Sequence, residues 1–245
     1  MRFFIGIIFL LLFFICENVF AFSFPVGEKI SYAVSWNGFN IGQTDLFFLG
    51  KVKVHGKEYY KIISESHTTQ YDGFDIIYAE KDTLLPYKVF RKLKFMKKEE
   101  EILETYDQKN FTITINKISD GVPSVEKILK EGPIQNSVIL YYIARDKSFN
   151  VGQKIDILLP TKQYSLRASA EKIEMGEDNL NRKTLFFQSS PRGIRLWIDR
   201  DKEHLPIKMV FTSFMSLVTM TFKKVVYLDA SEVIDIKKKF VAKGL

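Results

Sequence analysis

Cysteine is almost absent from this 245-residue chain: Cys16 is the only one, and it falls within an apolar N-terminal stretch. From residue 22 onward there is none. A disulfide framework, a cysteine zinc site and a thiol nucleophile are therefore excluded for that part, and in an oxidising compartment its stability has to come from core packing. Histidine is nearly as scarce, with His55, His67 and His204 scattered at no spacing that would assemble a metal site. The serine-hydrolase pentapeptide G-x-S-x-G does not occur, and Ser189-Ser190-Pro191-Arg192-Gly193 reads as turn chemistry instead. No phosphate-cradling loop follows Gly38 and Gly42. Asp199, Asp201 and Glu203 alternate with Arg200, Lys202 and His204, as in a solvated turn and not a calcium cage. The expectation is a protein that is not an enzyme and holds neither cofactor nor metal.

Long apolar runs are also missing, with one exception. Phe3 to Ile15 is unbroken, but its thirteen residues fall short of a membrane span, which needs about 20. Arg2 precedes the run and Val19-Phe20-Ala21 follows it, so residues 1–21 read as a secretory signal peptide cleaved after Ala21, leaving residues 22–245 as one β-rich domain in the periplasm. An uncleaved segment tethering the protein to the membrane is the alternative, and the bulky Ile15 disfavours lipidation at Cys16. Lysine and arginine exceed aspartate and glutamate by 36 to 29, a formal charge of +7 that is unchanged by loss of Arg2 and Glu17 together. That surplus favours peripheral contact with an anionic membrane. Export argues against a nucleic-acid partner, and Lys237-Lys238-Lys239 reads as a frayed, solvated tail.

What remains is patterned as strands. Ile30, Tyr32, Val34 and Trp36 alternate with Lys29, Ser31, Ala33 and Ser35, and Asn37-Gly38 then offers the positive φ angles of a tight hairpin turn. Further strands are expected at Leu46 to Leu49, Tyr59 to Ser66, Lys88 to Phe95 and Phe111 to Asn116. Later ones are expected at Ile155 to Leu159, Tyr164 to Ala170, Leu185 to Gln188, Ile194 to Ile198, Ile207 to Phe211 and Val218 to Phe222. Lys97 to Glu101 has no apolar stripe to bury, so the acidic segment Glu99 to Glu104 reads as a strongly charged edge or loop. One central helix is expected over Val138 to Arg145, capped by Asn136 or Ser137 and apolar nearly all round, hence pressed into the body. The fold class is mainly β: a strongly curved antiparallel sheet, open-barrel or sandwich-like, with that helix packed against it.

Phe47-Phe48, Tyr59-Tyr60 and Phe186-Phe187 each place one ring on either side of a strand. Either a second layer covers the outward rings or rings line a cavity, which makes Phe48, Tyr60 and Phe187 candidates for an apolar ligand pocket.

Three segments, Phe24 to Gly42, Leu140 to Gln153 and Leu196 to Ile207, together resemble an exported bacterial family called domain of unknown function 3108. Phe24-Pro25-Val26-Gly27-Glu28-Lys29-Ile30 with Tyr32, Val34, Trp36, Gly38 and Gly42 is similar to its opening. Leu140-Tyr141-Tyr142-Ile143-Ala144-Arg145 followed by Val151-Gly152-Gln153 is similar to its mid-chain helix and next strand, and Leu196-Trp197-Ile198-Asp199 with Leu205-Pro206-Ile207 to its late hairpin. The signature positions are Gly27, Tyr32, Trp36, Gly38, Tyr142, Arg145, Trp197 and Pro206. The resemblance implies a periplasmic β-rich protein similar in layout to lipoprotein-carrier folds, and no activity. The expected function is binding of an apolar or lipid-like ligand. The alternatives are an assembly module contacting another envelope protein and, last, an envelope hydrolase.

Overall fold

In a computed structural model, residues 24–69, 71–95, 98–145, 149–201, 203–212 and 216–240 are described; the signal-peptide expectation for residues 1–21 falls outside them. Period-two alternation organises nearly everything else. The first eight strands are β1 (Glu28–Trp36), β2 (Phe39–Val54), β3 (Lys57–Thr68), β4 (Tyr71–Glu80), β5 (Pro86–Phe95), β6 (Lys98–Asp107), β7 (Thr112–Ser119) and β8 (Val122–Leu129). A crossover carrying α1 (Leu140–Ile143) leads to β9 (Lys154–Leu158), β10 (Gln163–Met175), β11 (Asn181–Ser190), β12 (Ile194–Asp199), β13 (Pro206–Thr212) and β14 (Leu217–Tyr227), and α2 (Ala230–Lys239) ends the described chain.

All fourteen strands form one sheet, ordered β8-β7-β6-β5-β4-β3-β2-β1-β14-β13-β12-β11-β10-β9. From β1 in mid-sheet the chain winds by hairpins to the β8 edge, crosses to the β9 edge and winds back until β14 pairs with β1, Glu28 opposite Tyr227. The edge strands β8 and β9 are not hydrogen-bonded to each other, so the sheet does not close.

Residues from one face of nearly every strand meet in a single core with α1, including Ile113 near one edge and Leu166 near the other. A flat sheet would hold those two far apart, so the sheet curls around the helix in the sense its twist dictates. The crossover straps the open seam. Ile134 N–H donates to Gln108 Oε1 at 3.0 Å on one flank. On the other, Gln135 N–H donates to the Leu158 carbonyl at 2.8 Å.

Among the described residues two helices are present where one is expected. The central one is short, four residues from Leu140 to Ile143, with no side-chain cap. Asn136 Oδ1 instead accepts from Val138 N–H two residues on, and the tight bonds from Tyr141 N–H to Val138 O and from Arg145 N–H to Tyr142 O turn both flanks of the helix into tighter turns. The second helix replaces the frayed tail expected at Lys237-Lys238-Lys239. It opens with a reciprocal capping box between Asp229 and Glu232 and ends on those three lysines, whose charge suits the helix dipole. It covers the outer face of the β2 to β5 region, packing Val233 and Phe240 on Phe47, Ile63, Ile76 and Phe90.

Glu99 to Glu104 is neither edge nor loop but the interior strand β6. Cross-strand cations make that possible: Glu100 meets Lys117 at 2.6 Å, Glu101 meets Lys92 at 2.9 Å and Glu104 meets Arg91 at 3.5 Å. Strands β4 and β8 were not anticipated either. The Asn37-Gly38 turn has the expected form, with φ of 49° and 88°.

Candidate functional site

The concave face is unevenly filled. At the end of the sheet carrying Glu28, aromatic rings and α1 leave no room for a ligand. Phe48 lies 5.1 Å from Tyr60 and 5.9 Å from Tyr142, ring centre to ring centre, and Phe24 caps the group edge-on at 5.4 Å from Phe48. Phe187 packs edge-on against Phe149 and borders a void of about 10 Å³ beside α1, at the lower limit for a single water. The structure therefore places Phe48, Tyr60 and Phe187 in the packed core.

A buried ion pair anchors that filled end. Arg145 Nη1 and Nη2 donate to Glu28 Oε2 and Oε1 at 2.6 and 3.0 Å, and Glu28 is wholly buried. The guanidinium lies over the Phe24 ring, 4.9 Å from its centre. Gly27 sits beside it with φ of 87°, where an added Cβ would meet the Leu228 carbonyl at 2.7 Å. Four signature residues, Gly27, Tyr32, Tyr142 and Arg145, thus gather at one place. Tyr32 and Tyr142 are fully buried with unpartnered hydroxyls, and burial foremost pushes both phenols far up.

At the opposite end, beside the Asn37-Gly38 turn, the concavity is open. A cleft of about 470 Å³ is lined by Val34 and Trp36 of β1, Ile41 and Thr44 of β2, Ser66 and Thr68 of β3, Tyr71 of β4, Phe95 of β5 and Val218 and Met220 of β14. Three of its hydroxyls are already used. Thr44 Oγ1 and Ser66 Oγ share a hydrogen bond at 2.8 Å, and Thr68 Oγ1 donates to the Tyr71 carbonyl at 2.8 Å while accepting from Tyr71 N–H at 2.9 Å. What the walls offer a ligand is therefore mainly hydrocarbon. Burial, with Asp75 next, pushes the Tyr71 phenol up to about 12, so it is neutral at physiological pH.

Local sequence builds this end. The β1 alternation carries Trp36 onto the inner face, and the tight turn sets Phe39 directly opposite it. Gly42, with φ of 150°, lets β2 approach β3 so closely that a Cβ there would stand 2.1 Å from the His67 carbonyl oxygen. Trp36, Phe95 and Phe39 are respectively 36%, 44% and 77% exposed, an uncommon grouping of rings in water.

A second cleft, about 610 Å³, opens along the seam between Ile102, Glu104, Ile115, Glu126 and Ile128 on one side and Leu159, Pro160 and Thr161 on the other. Arg91 forms part of its wall. Its Nε donates to Asp75 Oδ1 at 2.7 Å and its Nη1 lies 3.5 Å from Glu104. Burial works against the Arg91 charge, and the Asp75 and Glu104 carboxylates outweigh it, raising the guanidinium pKa. Tyr106 donates to Glu104 at 2.5 Å.

The remaining sequence candidates lie elsewhere. Trp197 packs with Phe186 and Val210 on the outer face, Gly38 is in the hairpin turn, and Pro206 opens β13 opposite Ile198. His67 Nδ1 meets Asp72 Oδ1 at 2.5 Å, but the pair is solvent-exposed on the outer face and not in a cleft. His55 and His204 occupy turn positions with positive φ. Among the described residues no group of three or more His, Cys, Asp or Glu side chains is placed to hold a metal. Sequence reasoning missed Tyr71, Phe95, Val218 and Met220 as cleft residues, because the pairing of β14 with β1 is long-range and only the curvature of the sheet brings β4 and β5 to the same cleft.

Fold and clefts define the class: an open, strongly curved antiparallel half-barrel plugged at one end and hollow at the other. The chain belongs to the family described as protein of unknown function DUF3108, whose profile matches residues 31–223. No curated protein matches the sequence. Among solved structures it is similar to a beta-barrel-like protein of domain of unknown function DUF1849 from Brucella abortus, at 7% identity over 84% of this chain and 99% of that one, with a TM-score of 0.49.

Proposed function

We propose that this chain is an exported, non-enzymatic binding protein of the periplasm that holds an apolar or lipid-like ligand in the cleft at the Asn37-Gly38 end. The observation that carries this reading is the cleft itself. Its volume of about 470 Å³ lies within the range of small-molecule sites, the Thr44, Ser66 and Thr68 hydroxyls are satisfied within the wall, and no cation is among its lining residues. An acyl chain fits such a surface, whereas a charged head group would lie at the rim.

The test is native mass spectrometry and lipid extraction of the purified chain, followed by titration with a fluorescent fatty-acid probe. Co-purified lipid, and probe binding that V218W blocks while the thermal melt is preserved, support the reading. A chain that carries no lipid and binds no probe sinks it. The same mass spectrum reads processing: a mature terminus at Phe22 is expected, and intact Met1 favours a membrane-tethered protein.

A second reading, an assembly module contacting another envelope protein, is favoured by the edge strand β8. Val122, Val125 and Leu129 there are 68%, 71% and 73% exposed, although Pro123 and Lys127 are residues that commonly blunt a free edge.

A further inference from the structure

We infer that the Asn37-Gly38 end of the half-barrel docks on an anionic phospholipid bilayer, inserting Phe39, Trp36 and Phe95 at the head-group level so that the cleft mouth faces the membrane. This inference deepens the proposed binding function and rests on it for the purpose of the docking, not for the docking itself.

Three observations converge. Phe39 is the most exposed of the large apolar side chains among the described residues, at 77%, and it stands at the tip of a hairpin. Residues 35–42 around it carry no charge at all. A loop tip that is both uncharged and aromatic is costly in water and well matched to the interface between head groups and acyl chains, where tryptophan in particular is favoured.

Charge points to the same occupant. Lys94 and Lys98 flank Phe95 across the β5–β6 connection, and both are exposed. Lys94 stands opposite Asp72 on β4 and Glu99 on β6, the latter at a loose 3.7 Å. With the chain's surplus of +7, these lysines meet lipid phosphates in a contact that salt weakens. Continuity adds the third argument: Trp36 and Phe95 belong both to the exposed rim and to the cleft wall. A bilayer covering the rim would therefore present its acyl chains to the cleft with no intervening water.

The chain contains two tryptophans, Trp36 and Trp197, and Trp197 is buried on the outer face, which makes a local readout available. Full-length W197F protein, recovered as the expressing cell processes it, is titrated with vesicles of phosphatidylethanolamine and brominated phosphatidylglycerol. Quenching of Trp36 emission is expected, with none in W36F, where Trp197 alone reports. F39D is expected to lower vesicle affinity by about tenfold or more, the loss that follows from withdrawing one phenyl ring from an apolar phase. Any contribution from residues 1–21 is common to all variants.

Vesicle binding without Trp36 quenching, or equal binding by F39D, overturns the inference. So does a dimer in light scattering that F39D dissolves, since the rim would then be a contact between copies. Fatty-acid probe binding in the absence of vesicles separates the two readings: F39D that loses vesicles and keeps the probe supports docking as a distinct function of the rim. A wild type that binds vesicles through Trp36 yet never binds the probe leaves docking standing and removes the cleft reading.

Discussion

Arg145 grips Glu28 across 117 residues of chain, with both carboxylate oxygens engaged and Glu28 sealed from solvent. The contact ties the segment after α1 to the first residue of β1, the strand on which the two halves of the sheet join. Arg145 Nε also donates to the Glu203 carbonyl at 3.2 Å, and Tyr227 donates to a Glu203 carboxylate oxygen at 3.0 Å, so the turn between β12 and β13 and the end of β14 share the same anchor.

Breaking that pair from one side leaves a charge buried without its partner. E28A is expected to cost about 3–5 kcal/mol in urea unfolding, because the desolvated guanidinium loses its counter-charge. The double variant E28M/R145M is expected to recover most of the loss. A double variant that stays as unstable as E28A would show that the pair contributes net stability over an apolar filling.

Phe48 serves as a test of where the ligand goes. F48A is expected to destabilise the protein by about 3–5 kcal/mol through the cavity it leaves among Phe24, Tyr60 and Tyr142. Fatty-acid probe affinity is expected to remain that of wild type, since the ring is outside the open cleft. A probe that binds more tightly to wild type than to F48A at equal folded fraction would move the site into the core.

Helix α2 depends on its cap. Asp229 accepts from Glu232 N–H at 2.9 Å while Glu232 accepts from Asp229 N–H at 2.9 Å. D229A is expected to cost about 1 kcal/mol, and to speed amide exchange in α2 while leaving β12 and β13 unchanged. Hydrogen exchange that accelerates equally everywhere would show that α2 is not a separable layer.

Alkali should unfold the protein through its tyrosines. Burial raises the Tyr71 and Tyr78 phenols from 10.0 to about 12. Unfolded tyrosines release their protons near the ordinary value, so between these limits the unfolded state binds fewer protons than the native one. Stability is then full below pH 10.0 and falls as pH rises toward about 12. A pH series of urea melts, read alongside tyrosinate absorbance, checks the sign; stability that holds flat through this window contradicts it.

Short-range pattern made much of this architecture readable. The β1 alternation, the Asn37-Gly38 turn and the six strands after residue 154 all follow from periodicity and turn chemistry acting over a few residues. The capping box of α2 was equally present as Asp229-Ala230-Ser231-Glu232, and the adjacent triple lysine drew it into a tail reading. Glu99 to Glu104 misled for a different reason. Its place inside the sheet depends on Lys92, Arg91 and Lys117, which no local window contains.

Composition, alternation and turn residues act locally, and they suffice to specify a strand-rich chain without disulfides, surplus in positive charge and belonging to one family. Which rings are core and which are wall follows from long-range packing. Phe48 and Trp36 sit on the same alternating face of neighbouring strands, yet one is sealed beneath Phe24 and Tyr142 and the other opens to solvent. The difference is where α1 sits within the curl of the sheet: it fills one end of a concavity whose walls come from strands far apart in sequence, and that placement is a property of closure geometry and not of any segment's own preference.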